Sequence, residues 1–136
     1  MTVTYPASDM RREWATEDAL LAEAVDALKV PDGGFTYDLV TGQPITTGYA
    51  VSIYPDAEEI LADATVGDLL AYTLRHADLL TKPGRVFGGW RDPDDGRVYL
   101  DVSVNVGQLD SALSLARKFD QLAVFDFAAG KSVRSY

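Results

Sequence analysis

The segment Val98-Tyr-Leu-Asp-Val-Ser-Val-Asn-Val106 carries the strongest periodicity in the chain. Val98, Leu100, Val102, Val104 and Val106 fall on one face. Arg97, Tyr99, Asp101, Ser103 and Asn105 fall on the other, a period of two that a half-buried strand satisfies and a helix does not. Just before it, Asp92-Pro-Asp-Asp-Gly96 reads as a turn: proline sets φ, aspartates bond the local backbone, and glycine takes the left-handed position. The partner strand across this turn is Arg85 to Arg91, and the two form a β-hairpin.

On the C-terminal side, Leu109, Ala112, Leu113, Ala116 and Phe119 line one side of a helix over Leu109 to Asp120, with Arg117 and Lys118 favouring the end of its dipole. Leu122 to Phe127 is then a strand, Ala128-Ala129-Gly130 a turn, and Lys131 to Tyr136 a short edge strand. On the N-terminal side, Leu20, Leu21, Ala24, Val25 and Leu28 predict a helix from Thr16, with Glu17 and Asp18 in its first turn. Pro31-Asp-Gly-Gly34 ends it. Phe35, Tyr37 and Leu39 alternate as a strand, Thr41 to Pro44 turns, and Gly48 to Tyr54 returns, a second hairpin. Asp56 to Leu61 reads as a short helical turn. Thr65 with Asp68 resembles a capping box opening one helix whose stripe is Val66, Leu69, Leu70, Leu74, Ala77 and Leu80, closed by Lys82-Pro-Gly84.

The expected fold is therefore one α+β domain over residues 1–136. Its mainly antiparallel sheet has about five strands, from two β-hairpins plus a C-terminal strand, with helices packed on one face.

The 136 residues hold 21 acids against 12 bases, one histidine and no cysteine, for a net charge of −9. The absence of cysteine excludes disulfides, thiolate catalysis, cysteine-bound zinc and iron–sulfur clusters. The first residues lack a basic and an apolar signal region and no apolar run spans a bilayer, so the expectation is a cytoplasmic protein without membrane contact. An acidic balance argues against direct binding of nucleic acid, which rests on lysine and arginine neutralising phosphates.

Charge is unevenly placed. Residues 1–74 carry thirteen acids against Arg11, Arg12 and Lys29, whereas residues 75–136 carry eight acids against nine bases. Between Val30 and Leu74 there is no base, and Asp32, Asp38, Asp56, Glu58, Glu59, Asp63 and Asp68 make that stretch anionic unless the fold interleaves the halves. It reads as a solvated face, as a docking surface for a basic partner, or as a mimic of nucleic acid.

No catalytic or cofactor signature survives inspection. Gly130-Lys-Ser132 echoes a phosphate-binding loop, but Phe125 stands where the first glycine belongs and no helix can follow. Asp92, Asp94 and Asp95 suggest calcium ligands, yet Ser103 stands where a bidentate glutamate is needed. His76 lies mid-helix with no nucleophile at a recognisable turn. Adjacent Glu58 and Glu59 point to different faces. Tyr37, Tyr49, Tyr54, Phe87, Trp90 and Tyr99 lie on or near strands, where packing is the ordinary role. Phe87 shares a strand face with Arg85 and Arg91, and Tyr99 with Arg97, so an arginine and aromatic patch is expected on the open side of the sheet.

The segments Gly34-Phe-Thr-Tyr37, Thr47-Gly-Tyr-Ala-Val-Ser52, Gly88-Gly-Trp90, Gly96-Arg-Val-Tyr-Leu-Asp-Val-Ser103 and Gln121-Leu-Ala-Val-Phe-Asp126 resemble, in this order, small phage- and plasmid-borne proteins of high-GC Gram-positive bacteria. The likeness covers about residues 34 to 130. It carries no activity, cofactor or catalytic residue, but it implies a mobile-element context in which small acidic proteins redirect a host protein.

The expected function is a non-enzymatic, acidic interaction module binding a bacterial host protein through a basic surface of that partner, with no cofactor and no metal. Its candidate contact residues are Asp56, Glu58, Glu59, Asp63, Tyr49, Tyr54, Trp90, Arg85, Phe87, Arg97 and Tyr99. Alternatives are a nucleic-acid mimic inhibiting a DNA-acting defence enzyme, a small enzyme using His76 or arginines such as Arg85, Arg91 and Arg97, and a module that self-associates through the sheet edge at Lys131 to Tyr136.

Overall fold

A computed structural model describes residues 19–136. The expected helix start, Thr16 to Asp18, lies outside the described residues. The chain is helical over 19–27 (α1), followed by β1 (Gly34–Asp38), β2 (Gln43–Pro44), β3 (Tyr49–Val51), a 3₁₀ turn (Pro55–Ala57) and β4 (Glu59–Leu61). After these come α2 (Val66–Arg75), α3 (Ala77–Leu80), β5 (Arg85–Arg91), β6 (Val98–Val106), α4 (Leu109–Lys118), β7 (Ala123–Asp126) and β8 (Lys131–Arg134).

All strands join one curled antiparallel sheet in the order β2-β1-β5-β6-β3-β7-β8. The nine-residue length of β6 lets it hold three neighbours: β5 along one edge, and β4 and β3 in succession along the other. The α+β class and antiparallel sheet agree with the sequence, but the sheet has eight strands instead of about five. The β5–β6 hairpin is as expected, with Arg85 to Arg91 paired against Val98 to Val104 and Gly96 at φ +72°.

The N-terminal hairpin differs from expectation. β1 pairs with β5 on one side and with the two-residue return β2 on the other, while β3 crosses to the far half of β6 and also pairs with β7. Pairing with β5 sets Phe35 and Tyr37 beside Phe87: the Phe35 and Phe87 rings meet edge to face at 4.9 Å, and Tyr37 is the cross-strand neighbour of Phe87. A local hairpin with β3 would forgo that burial. The helical turn expected over Asp56 to Leu61 is confined to Pro55–Ala57, because the chain then extends to pair Glu59, Ile60 and Leu61 with Leu100, Tyr99 and Val98. The long helix breaks at His76, which leaves helical geometry at φ −111° and ψ 22° and caps both α2 and α3. The capping box is present, Thr65 Oγ1 accepting from Asp68 N and Asp68 Oδ2 accepting from Thr65 N.

The helices cover one face of the sheet. Leu21 and Ala24 of α1, Leu28 just after it, and Leu69 and Tyr72 of α2 pack on Phe35, Phe87, Leu100 and Val102. Farther along the same face Ala112 and Ala116 of α4 pack on Val51 and Val124. Tyr72 lies parallel to Phe87 at 5.2 Å and donates its buried hydroxyl to Ala57 O at 2.7 Å. The other face carries no helix among the described residues, and there the functional surface must be sought.

Candidate binding groove on the open sheet face

Antiparallel register builds this face in rows. One row is Gly34, Trp90, Tyr99 and Ile60 across β1, β5, β6 and β4; the next is Thr36, Gly88 and Asp101, with Glu58 entering just before β4. Because the sheet curls, Phe125, Phe127, Gly130, Lys131 and Ser132 of the β7–β8 hairpin line the same space, closing a groove of about 990 Å³.

The two glycines of Gly88-Gly-Trp90 serve opposite faces. A Cβ on Gly89 would lie 2.2 Å from the Phe35 ring in the core, whereas a Cβ on Gly88 would lie 2.5 Å from Asp101 Oδ1 on the open side. The missing side chain of Gly88 thus makes the bay that holds the Asp101 carboxylate. Ser103 Oγ donates to Asp101 Oδ2 at 3.3 Å, a long bond, and no ion pair reaches this carboxylate among the described residues. Burial, with a smaller push from Glu58 and against the Ser103 hydrogen bond, raises its pKa from 3.8 to about 6.

Trp90 and Tyr99 sit beside this bay with ring centres 6.1 Å apart at 44°. Trp90 is 42% exposed yet held in place, its indole N–H donating to Asp32 Oδ1 at 2.7 Å. The Tyr99 hydroxyl donates to Asp95, which raises the tyrosine pKa and lowers that of the carboxylate. Both rings are therefore set before any ligand arrives.

The expected arginine and aromatic patch is not on this face. Strand parity does group Arg85 with Phe87 and Arg91, and Tyr99 with Arg97, but the two groups occupy opposite faces. Phe87 is fully buried in the helix-covered core. Arg85 donates to the Tyr54 hydroxyl at 3.0 Å and lies 5.9 Å from its ring centre. Arg91 donates to Leu28 O and Gly96 O, both at 2.5 Å, and to Asp63 at 2.7 Å. Tyr49 packs at the edge of the α4 cluster. Arg97 is exposed and does not line the groove.

The base-free acidic stretch is also less uniform than its sequence. Asp63 is held below the ordinary carboxylate range, first by the Ala64 N–H and then by Arg91. Glu59 is lowered chiefly by Arg75, which donates to Oε2 at 3.1 Å and to Oε1 at 2.5 Å, and His76 Nε2 lies 2.9 Å from the same Oε2. The fold thus interleaves the two halves of the chain. Of the acidic candidates, Asp56 and Glu58 remain exposed without an ion pair among the described residues, and only Glu58 lines the groove.

Asp56 instead borders a smaller pocket of about 350 Å³ with Tyr54, Arg75, His76 and Asp78, whose lining holds no serine, threonine or cysteine beside the histidine. Among the described residues no group of three or more histidine, cysteine or acidic side chains is placed to hold a metal ion. No helix among them is long and apolar enough to cross a membrane.

Neither Asp101 nor Phe125 is among the contact residues expected from sequence, and Asp32 and Lys131 stand out there only as part of the acidic stretch and of the Gly130-Lys-Ser132 echo. Asp101 carried a usable signal, an aspartate facing away from the valines on the strongest strand, but its meaning depends on lying opposite Gly88. No protein-family model, curated protein or solved structure matches the chain.

Proposed function

We propose that the protein is a non-enzymatic interaction module that docks a basic segment of a partner protein in the groove on its open sheet face. The observation that carries this reading is the composition of the groove: Trp90 and Tyr99 adjoin Asp101, Glu58 and Asp32, none of which has an arginine or lysine partner among the described residues. Aromatic rings beside unneutralised carboxylates suit cationic side chains, and a net charge of −9 steers them inward. On the resemblance to phage- and plasmid-borne proteins, we take the partner to be a bacterial host protein with a basic surface, met in the cytoplasm.

The test is calorimetric titration with a flexible peptide of alternating lysine, arginine, glycine and serine, and with its glutamate counterpart. Only the basic peptide is expected to bind, more weakly as salt rises, and Asp32→Lys with Glu58→Lys is expected to abolish binding. Equal binding of both peptides, or binding unchanged in the charge-reversed protein, overturns the reading.

Among the described residues no strand pairs with the outer edge of β8, and this favours a second reading. Leu122 and Tyr136, at one end of the β7–β8 pair, are 66% and 68% exposed, with Ser135 N donating to Leu122 O, and a free strand edge suits pairing between copies. Sedimentation across a hundredfold concentration range tests it; a concentration-independent monomer removes it.

A further inference from the structure

Resting on the groove reading, the geometry points to a subsite within it: we propose that Asp101 and Glu58, with Trp90 and Tyr99 beside them, receive one lysine or arginine side chain of the docking segment.

Asp101 stands mid-strand in β6, and its carboxylate occupies the bay above Gly88. Ser103 donates to Oδ2 alone; Oδ1 accepts no hydrogen bond from the described residues. A half-buried carboxylate with one long hydrogen bond gains from a charged donor, since charge-assisted bonds are the strong ones. Glu58, on the strand side away from Gly88, adds a second negative group and no cation. The facing groups are otherwise Thr36 from β1, Tyr99 from β6, Asp32 ahead of β1 and Lys131 across the groove, and Lys131 pairs with none of the carboxylates. The stem of an entering lysine or arginine can lie along Trp90, whose indole is already held by Asp32. The raised pKa of Asp101 adds a sign: the site is filled by proton at low pH and by a side-chain cation above about pH 6.

The experiment is amide-resolved NMR of the full chain titrated with N-acetyl-lysine methylamide, N-acetyl-arginine methylamide and the uncharged N-acetyl-norleucine methylamide. The cationic probes are expected to shift the amides of Gly88 and Asp101 and the Trp90 indole N–H at pH 7.5, and to lose affinity as pH falls below 6. Asp101→Asn should weaken them by about tenfold, the loss of one charged hydrogen bond, while Asp56→Asn, outside the groove, should leave them unchanged. Norleucine shifting the same resonances equally, or Asp101→Asn binding as well as the parent with an otherwise superposable spectrum, overturns the subsite. A basic peptide that still enters the groove of Asp101→Asn undiminished leaves the docking reading standing and removes the subsite. Single-residue cations that bind where the peptide does not enter do the reverse.

Discussion

Asp101 lies where a side chain on Gly88 would begin, its Oδ1 being 2.5 Å from the Cβ position of that glycine. The neighbouring glycine faces the Phe35 ring instead, at 2.2 Å. The two obstacles differ in freedom. A carboxylate can swing into the groove, whereas the Phe35 ring is wedged between Tyr37 and Phe87. Gly89→Ala is therefore expected to cost about 1–3 kcal/mol by overpacking, and Gly88→Ala less than about 1 kcal/mol while displacing Asp101. Urea denaturation of the two variants checks the order, and a Gly88 cost equal to that of Gly89 contradicts it.

Asp101 also sets a pH dependence. Its folded pKa of about 6 stands above the unfolded value near 3.8, so the folded state binds more protons between them and loses stability as pH rises through that window. Two units correspond to at most about 3 kcal/mol. Asp101→Asn is expected to be more stable than the parent at pH 8, with the gain shrinking toward pH 4.5, as read from melting temperatures across pH. A gain that does not vary with pH contradicts this.

Glu59 runs the other way. Held low by Arg75 and His76, it contributes stability that is present above its unfolded pKa and lost on acidification. Glu59→Gln is expected to destabilise by about 1 kcal/mol at pH 7, discounted for partial exposure, and to matter progressively less below pH 4.

Tyr72→Phe removes the donor to Ala57 O while leaving the ring on Phe87. A buried carbonyl is left unpaired, and a loss of about 1–3 kcal/mol is expected in chemical denaturation. Thr65→Ala removes the cap of α2 and should cost about 1 kcal/mol.

What was legible in the sequence was local. The alternation through Val98 to Val106, the Asp92 to Gly96 turn and the Thr65–Asp68 cap each depend on neighbours a few residues apart, and each is present. Partner choice was not legible. Nothing in Phe35 to Asp38 announces β5 as its neighbour, because the benefit, packing against Phe87 and Tyr72, comes from residues thirty-five or more positions away. Parity correctly grouped Phe87 with Arg85 and Tyr99 with Arg97, but it cannot say which group the helices cover. The groove suffered most, since Asp101 gains its bay only when β6 is set against Gly88, and the acidic stretch loses Glu59 and Asp63 to Arg75 and Arg91 only once the halves interleave.

Docking in the groove is read most plainly by an NMR titration of the full chain with the basic peptide, following the Trp90 indole N–H and the amides of Gly88, Tyr99 and Asp101. Saturable, salt-sensitive shifts concentrated on these groups are expected, with the helix-covered face silent. Shifts confined to α4 or to the pocket beside His76, or none at all with a folded protein, would contradict it.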